Sequence, residues 1–185
     1  MARQQLFSMS WHSYHNSAVH SAADEVEKLD EKILNDPQLG GALEKIAKKY
    51  AVTAASLETT AGVAKPRKIS RSGGQANVLD VPIPFTGDAR SFELSPSYSN
   101  TVSAVEWQIS GQQIIITVYD TEGAGREITD FIKLSNENLD RLREEMARYN
   151  GELLKTITQV ADRRKTAIEE RRKRDAGLPF KVDRG

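Results

Sequence analysis

The chain has no cysteine, which excludes disulfides and thiolate zinc sites and fits a cytoplasmic protein. It also lacks long apolar runs. Nothing in it approaches the ~18 residues of a membrane span, and no signal-peptide pattern opens it. Catalytic motifs are missing too. No Gly-rich loop leads into Lys-Ser or Lys-Thr, so nucleotide hydrolysis of the P-loop type is out, and Gly123-x-Gly125 is too short for a phosphate-binding fingerprint. No serine sits in an elbow motif. Asp80, Asp88 and Glu93 lie near the β edge, but no Glu-x-Lys or Asp-x-Lys on a strand completes a magnesium nuclease set. The three histidines, His12, His15 and His20, crowd the N-terminus. On a helix the first two share a face and His20 falls about 140° away from His15, which is a poor metal set. The expectation is a non-enzyme with no catalytic residues, no cofactor and no metal.

Formal net charge is zero, with 26 basic and 26 acidic side chains. Their distribution is uneven: from Arg163 to Arg184 nine Lys or Arg stand against four Asp or Glu. A basic end on a neutral chain suggests local contact with something acidic. Glu169 and Glu170 dilute it, at i,i+4 spacing to Lys173 and Arg174, as on a solvated helix. At 185 residues the chain makes one domain, or a small domain plus an extension.

The strongest periodic signal is a long helix from Ser135 to about Asp175. Leu139, Leu142, Met146, Tyr149, Leu153, Ile157 and Val160 recur every three or four residues, close to a heptad seam. Ser135 suits an N-cap, with Asn136 and Glu137 in the first turn. Asn150-Gly151 could fold the helix into a hairpin. The seam keeps phase across Gly151, which favours continuity. Such a stripe outruns the core this chain can build, so those seven residues are expected to bind a partner, either another copy or a separate effector protein.

Upstream, Met1 to His20 reads as a surface segment anchored by Trp11. Ser21-x-x-Asp24 opens a helix that buries Val26, Leu29 and Ile33, and Asp36-Pro37 starts a second that buries Leu39, Leu43, Ile46, Ala47 and Tyr50. Leu43 to Leu57 has the spacing of a DNA-binding helix-turn-helix. Ala51 stands where glycine is usual, however, and Thr53 to Thr60 offers no Arg, Lys, Asn or Gln to read bases. A nucleic-acid reading would use Lys48, Lys49, Arg163, Arg164, Arg171, Arg172, Lys173 and Arg174. Residues 58–76, rich in Thr, Gly, Ser, Lys and Arg, read as an exposed linker.

Val78 to Phe85 has strand composition. Pro82 and Pro84 cannot donate to a ladder, which predicts an edge strand with both prolines on one side. Thr86-Gly87-Asp88 is a turn and Ser91 to Leu94 a short strand. Ala104 to Asp120 is the best hairpin, turning at Ser110-Gly111; Thr121 to Gly125 is a loop and Arg126 to Lys133 a final strand. The fold class is α+β: two N-terminal helices, a small antiparallel β-sheet and a long C-terminal helix. Its parts are an N-terminal segment 1–20, a helical pair 21–57, the linker 58–76, a β module 77–134, the helix 135–175 and a basic tail 176–185.

Residues 81–97, Val-Pro-Ile-Pro-Phe-Thr-Gly-Asp-Ala-Arg-Ser-Phe-Glu-Leu-Ser-Pro-Ser, resemble a strand-turn-strand of bacterial proteins linked to anti-phage defence and restriction. There a Pro-Phe-x-Gly-Asp turn leads to an aromatic and then Pro-Ser. Tyr149 to Leu153, Arg163-Arg164 and Ala176 to Lys181 match later parts of that pattern, so the likeness covers roughly 78–182. It implies a non-catalytic module beside a separate effector domain. This chain ends soon after Pro179, where an effector would begin, so the effector is expected on another chain or to have been removed. The implied function is assembly with itself or an effector protein in the bacterial cytoplasm; nucleic acid is the alternative partner, and no membrane is expected.

Overall fold

The computed structural model describes residues 4–71 and 74–177. In chain order the elements are β1 (Gln4–Gln5), β2 (Met9–Ser10), α1 (Trp11–Glu27), α2 (Glu31–Leu34), α3 (Leu39–Tyr50), β3 (Ser56–Leu57), β4 (Lys65–Arg71) and β5 (Gly74–Thr86). A 3₁₀ helix (Ala89–Phe92), β6 (Leu94–Ser95), β7 (Ser103–Ala104), β8 (Glu106–Ser110), β9 (Gln113–Tyr119) and α4 (Ala124–Ala176) follow. The fold is α+β, with an antiparallel sheet and a long C-terminal helix. Two compact units divide the chain: residues 1–15 with 52–147, and residues 16–51 with 148–185.

Unit one is built on β5. This 13-residue strand pairs antiparallel with β9 on one side and with β3 and β4 on the other. It is therefore central, which corrects the edge-strand expectation. The prolines are tolerated because the second flank is split. β4 pairs up to Asp80 and β3 begins opposite Phe85, so Pro82 and Pro84 fall in the gap. Their carbonyls point into that gap and accept from Gly62 N (2.7 Å) and Glu58 N (2.9 Å), so both prolines do face one side. The missing N–H groups thus cost no ladder bond. Residues 58–76 are not a free linker either: Lys65 to Arg71 form β4, in register with Gly74 to Asp80. The β8–β9 hairpin forms as its alternation suggests, turning at Gly111 (φ +59°), with Ile114, Ile116 and Val118 buried.

The turn after β5 is sterically exacting. Gly87 has φ +90°, and a Cβ there would lie 2.7 Å from the Ala54 carbonyl oxygen and 2.8 Å from Ala55 Cα. Asp88 then caps the 3₁₀ helix by accepting from Arg90 N (3.0 Å), which replaces the strand expected at Ser91 to Leu94. Phe92 is fully buried and meets Phe85 edge-on at 5.0 Å. Segment 52–57 is extended where a helix-turn-helix would need its second helix. Ala54 bridges to Asp88, and Ser56–Leu57 pair with Thr86–Phe85. The β-branched pair Val52-Thr53, placed after Ala51 leaves helical geometry at ψ 145°, favours that path. At the N-terminus Leu6 N donates to Val102 O (3.0 Å), Phe7 N to Phe92 O (2.8 Å) and Met9 N to Glu93 O (2.8 Å). Phe7 is 3 % exposed and has φ +52°, a strained conformation for a bulky residue.

Helix α4 starts at Ala124, 11 residues before the expected Ser135, and runs for 53 residues. At ~1.5 Å per residue it is about 80 Å long. The strand expected at Arg126 to Lys133 is its first part. Ile128 and Ile132, four apart, have helical spacing, and Phe131 and Ile132 are buried. Ser135 lies mid-helix, fully buried, rather than capping. The helix passes through Gly151 without a break, as the phase of the seam suggests. The seam itself is covered by this chain. Leu139, Leu142, Met146, Tyr149, Leu153 and Ile157 are at most 3 % exposed, and Val160 is half-buried. Side chains already desolvated have nothing further to gain from a partner, which corrects their assignment to a partner interface.

Unit two contains most of α1, then α2, α3 and the later part of α4. α1 begins at Trp11, itself only 4 % exposed, rather than at Ser21, and buries Ala18, Ala22 and Val26 at a spacing of four. It stops at Glu27, and Asp30 caps α2 by accepting from Lys32 N (2.7 Å). That restart rotates the face, so Leu34 is buried while Ile33, expected inside, is 38 % exposed. Asp36 accepts from Gln38 N (2.7 Å) ahead of α3, which buries Leu39, Leu43 and Ile46.

Two glycines should respond oppositely to alanine in urea unfolding. Gly151 is an exposed mid-helix position with open space around it, so Gly151→Ala should stabilise by about 0.5–1 kcal/mol. Gly87→Ala should cost roughly 1–3 kcal/mol, because its conformation and the Ala54–Ala55 backbone both oppose a side chain.

Candidate functional site

In unit one, the register sets Asp80 on β5 beside Thr117 on β9, and Thr117 beside Glu106 on β8. Arg67 reaches this row from β4. Its Nε donates to Asp80 Oδ2 (2.6 Å), and its Nη2 donates to Glu106 Oε2 (2.6 Å) and Thr117 Oγ1 (3.3 Å). Thr117 Oγ1 donates in turn to Asp80 Oδ1 (2.6 Å) and is only 3 % exposed. The bonds to Asp80 and then Glu106 hold the guanidinium charge more firmly than usual. Around this network lies a concavity of about 240 Å³, which Gln108 and Ile115 also line. One cation stands between two carboxylates, where a nuclease would place its metal. Arg67 meets both carboxylates through Nε and Nη2, so this is an ion-pair staple across four strands.

A second cluster surrounds the turn after β5. Arg90 donates from Nε and Nη2 to Asp88, and from Nη1 to Tyr14 Oη (3.3 Å). Tyr14 and His15 both stack on Trp11, at 5.8 and 6.0 Å, and His12 meets His15 edge-on at 6.2 Å. Among the described residues, no group of three or more His, Cys, Asp or Glu is arranged to hold a metal. The Asp88 carboxyl is held below its ordinary range, first by its bonds to the Arg90 side chain.

α4 adds a feature that sequence periodicity does not announce. Asn136 Oδ1 accepts from Leu57 N (2.9 Å) while its Nδ2 donates to Leu57 O (3.1 Å). Asn138 treats Asn100 in the same way, at 2.8 and 2.9 Å. Arg143 donates to Ala55 O (3.0 Å), and Arg141 donates to Tyr98 O (3.2 Å) with its guanidinium over the tyrosine ring. The helix therefore holds segments 55–57 and 97–100 by their backbones.

In unit two, the basic residues named for nucleic acid divide into two groups. Lys49 pairs with Glu25 (2.8 Å), and Tyr50 Oη donates to the same carboxylate (3.1 Å). Arg164 donates to Val26 O near the end of α1 (3.0 Å) and lies 3.8 Å from Glu27. Arg171 and Arg172 both bind Glu31, the latter at 3.0 Å. Lys48, Arg163, Lys173 and Arg174 are exposed. Lys48 and Lys49 lie on α3, with no recognition helix after it. Beyond Gly177 the expected basic tail lies outside the described residues.

The sequence reading missed Arg67, Thr117 and Glu106 because it treated 58–76 as a linker. The available signal was Ser72-Gly73-Gly74 between two strand-like runs, a hairpin pattern that sets Arg67 near Asp80. Comparison with family models, curated proteins and solved structures finds no match for the chain.

Acid titration should read out the Asp88–Arg90 pair. The folded Asp88 binds its proton less tightly than the ordinary value of 3.8, so its contribution is full above that value. It is lost as pH falls below 3.8 through the folded value. Asp88→Asn keeps a capping oxygen but not the charge. It should be less stable than the wild type at pH 7 by about 1 kcal/mol or less, given the pair's exposure. The gap should close in urea melts as pH drops below the ordinary aspartate range.

Proposed function

We propose that this chain is a non-enzymatic assembly subunit of a bacterial anti-phage defence system, working in the cytoplasm. In this reading it binds another copy of itself or a separate effector through the outer side of α4. The observation that carries it is the unbroken 53-residue helix, far longer than a small sheet domain needs for cover. The sequence of residues 81–97, which resembles defence-associated modules, adds support, though a capped 3₁₀ helix over Ala89–Phe92 stands where that pattern has its second strand. Because the seam is buried, the contact surface is its opposite side, where Arg148, Glu152, Leu154 and Lys155 are exposed. The staples also favour this reading. Arg67 is paired with two carboxylates, and Glu25, Glu31 and Asp88 are each held as carboxylates by a basic neighbour, none poised to exchange protons near neutral pH. Among the described residues no helix is long and apolar enough to cross a membrane.

Light scattering of the full chain, alone and with the product of the neighbouring gene, tests the proposal. A stable homo-oligomer or a stoichiometric complex is expected, and Arg148→Glu with Lys155→Glu should weaken it while far-UV circular dichroism stays constant. A strict monomer that retains no partner overturns it.

A further inference from the structure

We infer that Arg171 and Arg172 form a phosphate site that Glu31 occupies in the resting protein, and that its ligand is the sugar-phosphate backbone of a nucleic acid. The two guanidinium groups, on consecutive residues of α4, converge on the single carboxylate of Glu31. One carboxylate there meets two guanidinium groups, with Asp175 the next acidic residue along the helix. A phosphodiester offers the same paired oxygens that a carboxylate offers to arginine. The surroundings extend the site along the helix. From Arg163 to Arg174 seven Lys or Arg stand against two Glu. Those residues cover about 16 Å of helix, which fits a row of phosphates rather than one. Arg163, Lys173 and Arg174 are exposed.

Glu31 is placed to leave. It sits on α2, a helix of only four residues whose side-chain cap comes from Asp30. Its carboxyl lies below the ordinary glutamate range, first through its bond to Arg171, so it remains an anionic occupant at neutral pH. An incoming phosphate exchanges one anion for another and frees α2, while Arg164 keeps its separate hold on Val26 O at the end of α1. The inference does not depend on the assembly reading, since it rests on the contact of Glu31 with Arg171 and Arg172.

Fluorescence anisotropy of the full chain with labelled random-sequence duplex DNA at low salt tests it. Glu31→Gln should bind about two- to fivefold more tightly than the wild type, the range an exposed ion pair supports. Arg171→Gln with Arg172→Gln should weaken binding and lower the slope of log affinity against log salt by about 1.8. An unchanged affinity in Glu31→Gln, or an unchanged slope in the double variant, overturns the site. Polyglutamate displacing the DNA equally well at matched charge overturns the nucleic-acid assignment. Hydrogen exchange on the wild type needs no substitution: protection over residues 28–38 should fall when DNA saturates the protein, and constant protection refutes displacement of Glu31.

Discussion

A backbone that leaves its sheet or helix must still pair its donors and acceptors, and in unit one that need is met by side chains of α4. Asn136 and Asn138 each present an amide that matches the N–H and C=O of one extended residue, as a neighbouring strand would. The helix thus replaces two missing strands. β3 pairs with a strand on one side only and residues 97–100 with none, and α4 supplies the remaining backbone bonds. Leu139 and Leu142, buried beside these polar positions in the sequence, anchor the same stretch by desolvation. Removing either asparagine leaves a buried donor and acceptor without partners, a larger loss than the bonds themselves.

Charge is used in a similar way in both units. Arg67 joins strands whose backbones do not all touch one another, and Arg164, Arg171 and Arg172 fasten α4 to α1 and α2. All four of these arginines meet carboxylates distant in the chain, 13 and 39 residues away for Arg67 and more than a hundred for the others. Their value is in directing which segments meet. Exposed pairs contribute little free energy, so the hydrophobic contacts beneath them supply most of the stability.

Much of the architecture can be read from residue spacing, because burial imposes a period. The α4 seam and the Ile114–Ile116–Val118 alternation were legible for that reason, and so was continuity through Gly151. What failed was local reasoning at sites where a distant segment decides. Pro82 and Pro84 pointed to an edge because nothing nearby in sequence shows that the opposite flank is split between β3 and β4. Ser135 looked like a cap because its hydroxyl suits one, yet Phe131 and Ile132 carry the apolar face upstream past it. The seam residues pointed to a partner because their number exceeded the core imagined for a small sheet; the chain instead buries Leu139, Leu142 and Met146 in unit one and Tyr149, Leu153 and Ile157 in unit two. The charged networks were harder still, since Arg67 and Asp80 meet only once the β4–β5 hairpin is assigned.

The first residues of the chain hold a last consequence. Leu6, Phe7 and Met9 bond to Val102, Phe92 and Glu93, so this segment has its partners roughly ninety residues later in the chain. It cannot dock while those residues are unmade, and Phe7 cannot settle into its strained conformation without them. Nor can helices 16–51 complete unit two before residues 148–176 emerge. A nascent chain stalled before residues 148–176 would hold unit two incomplete.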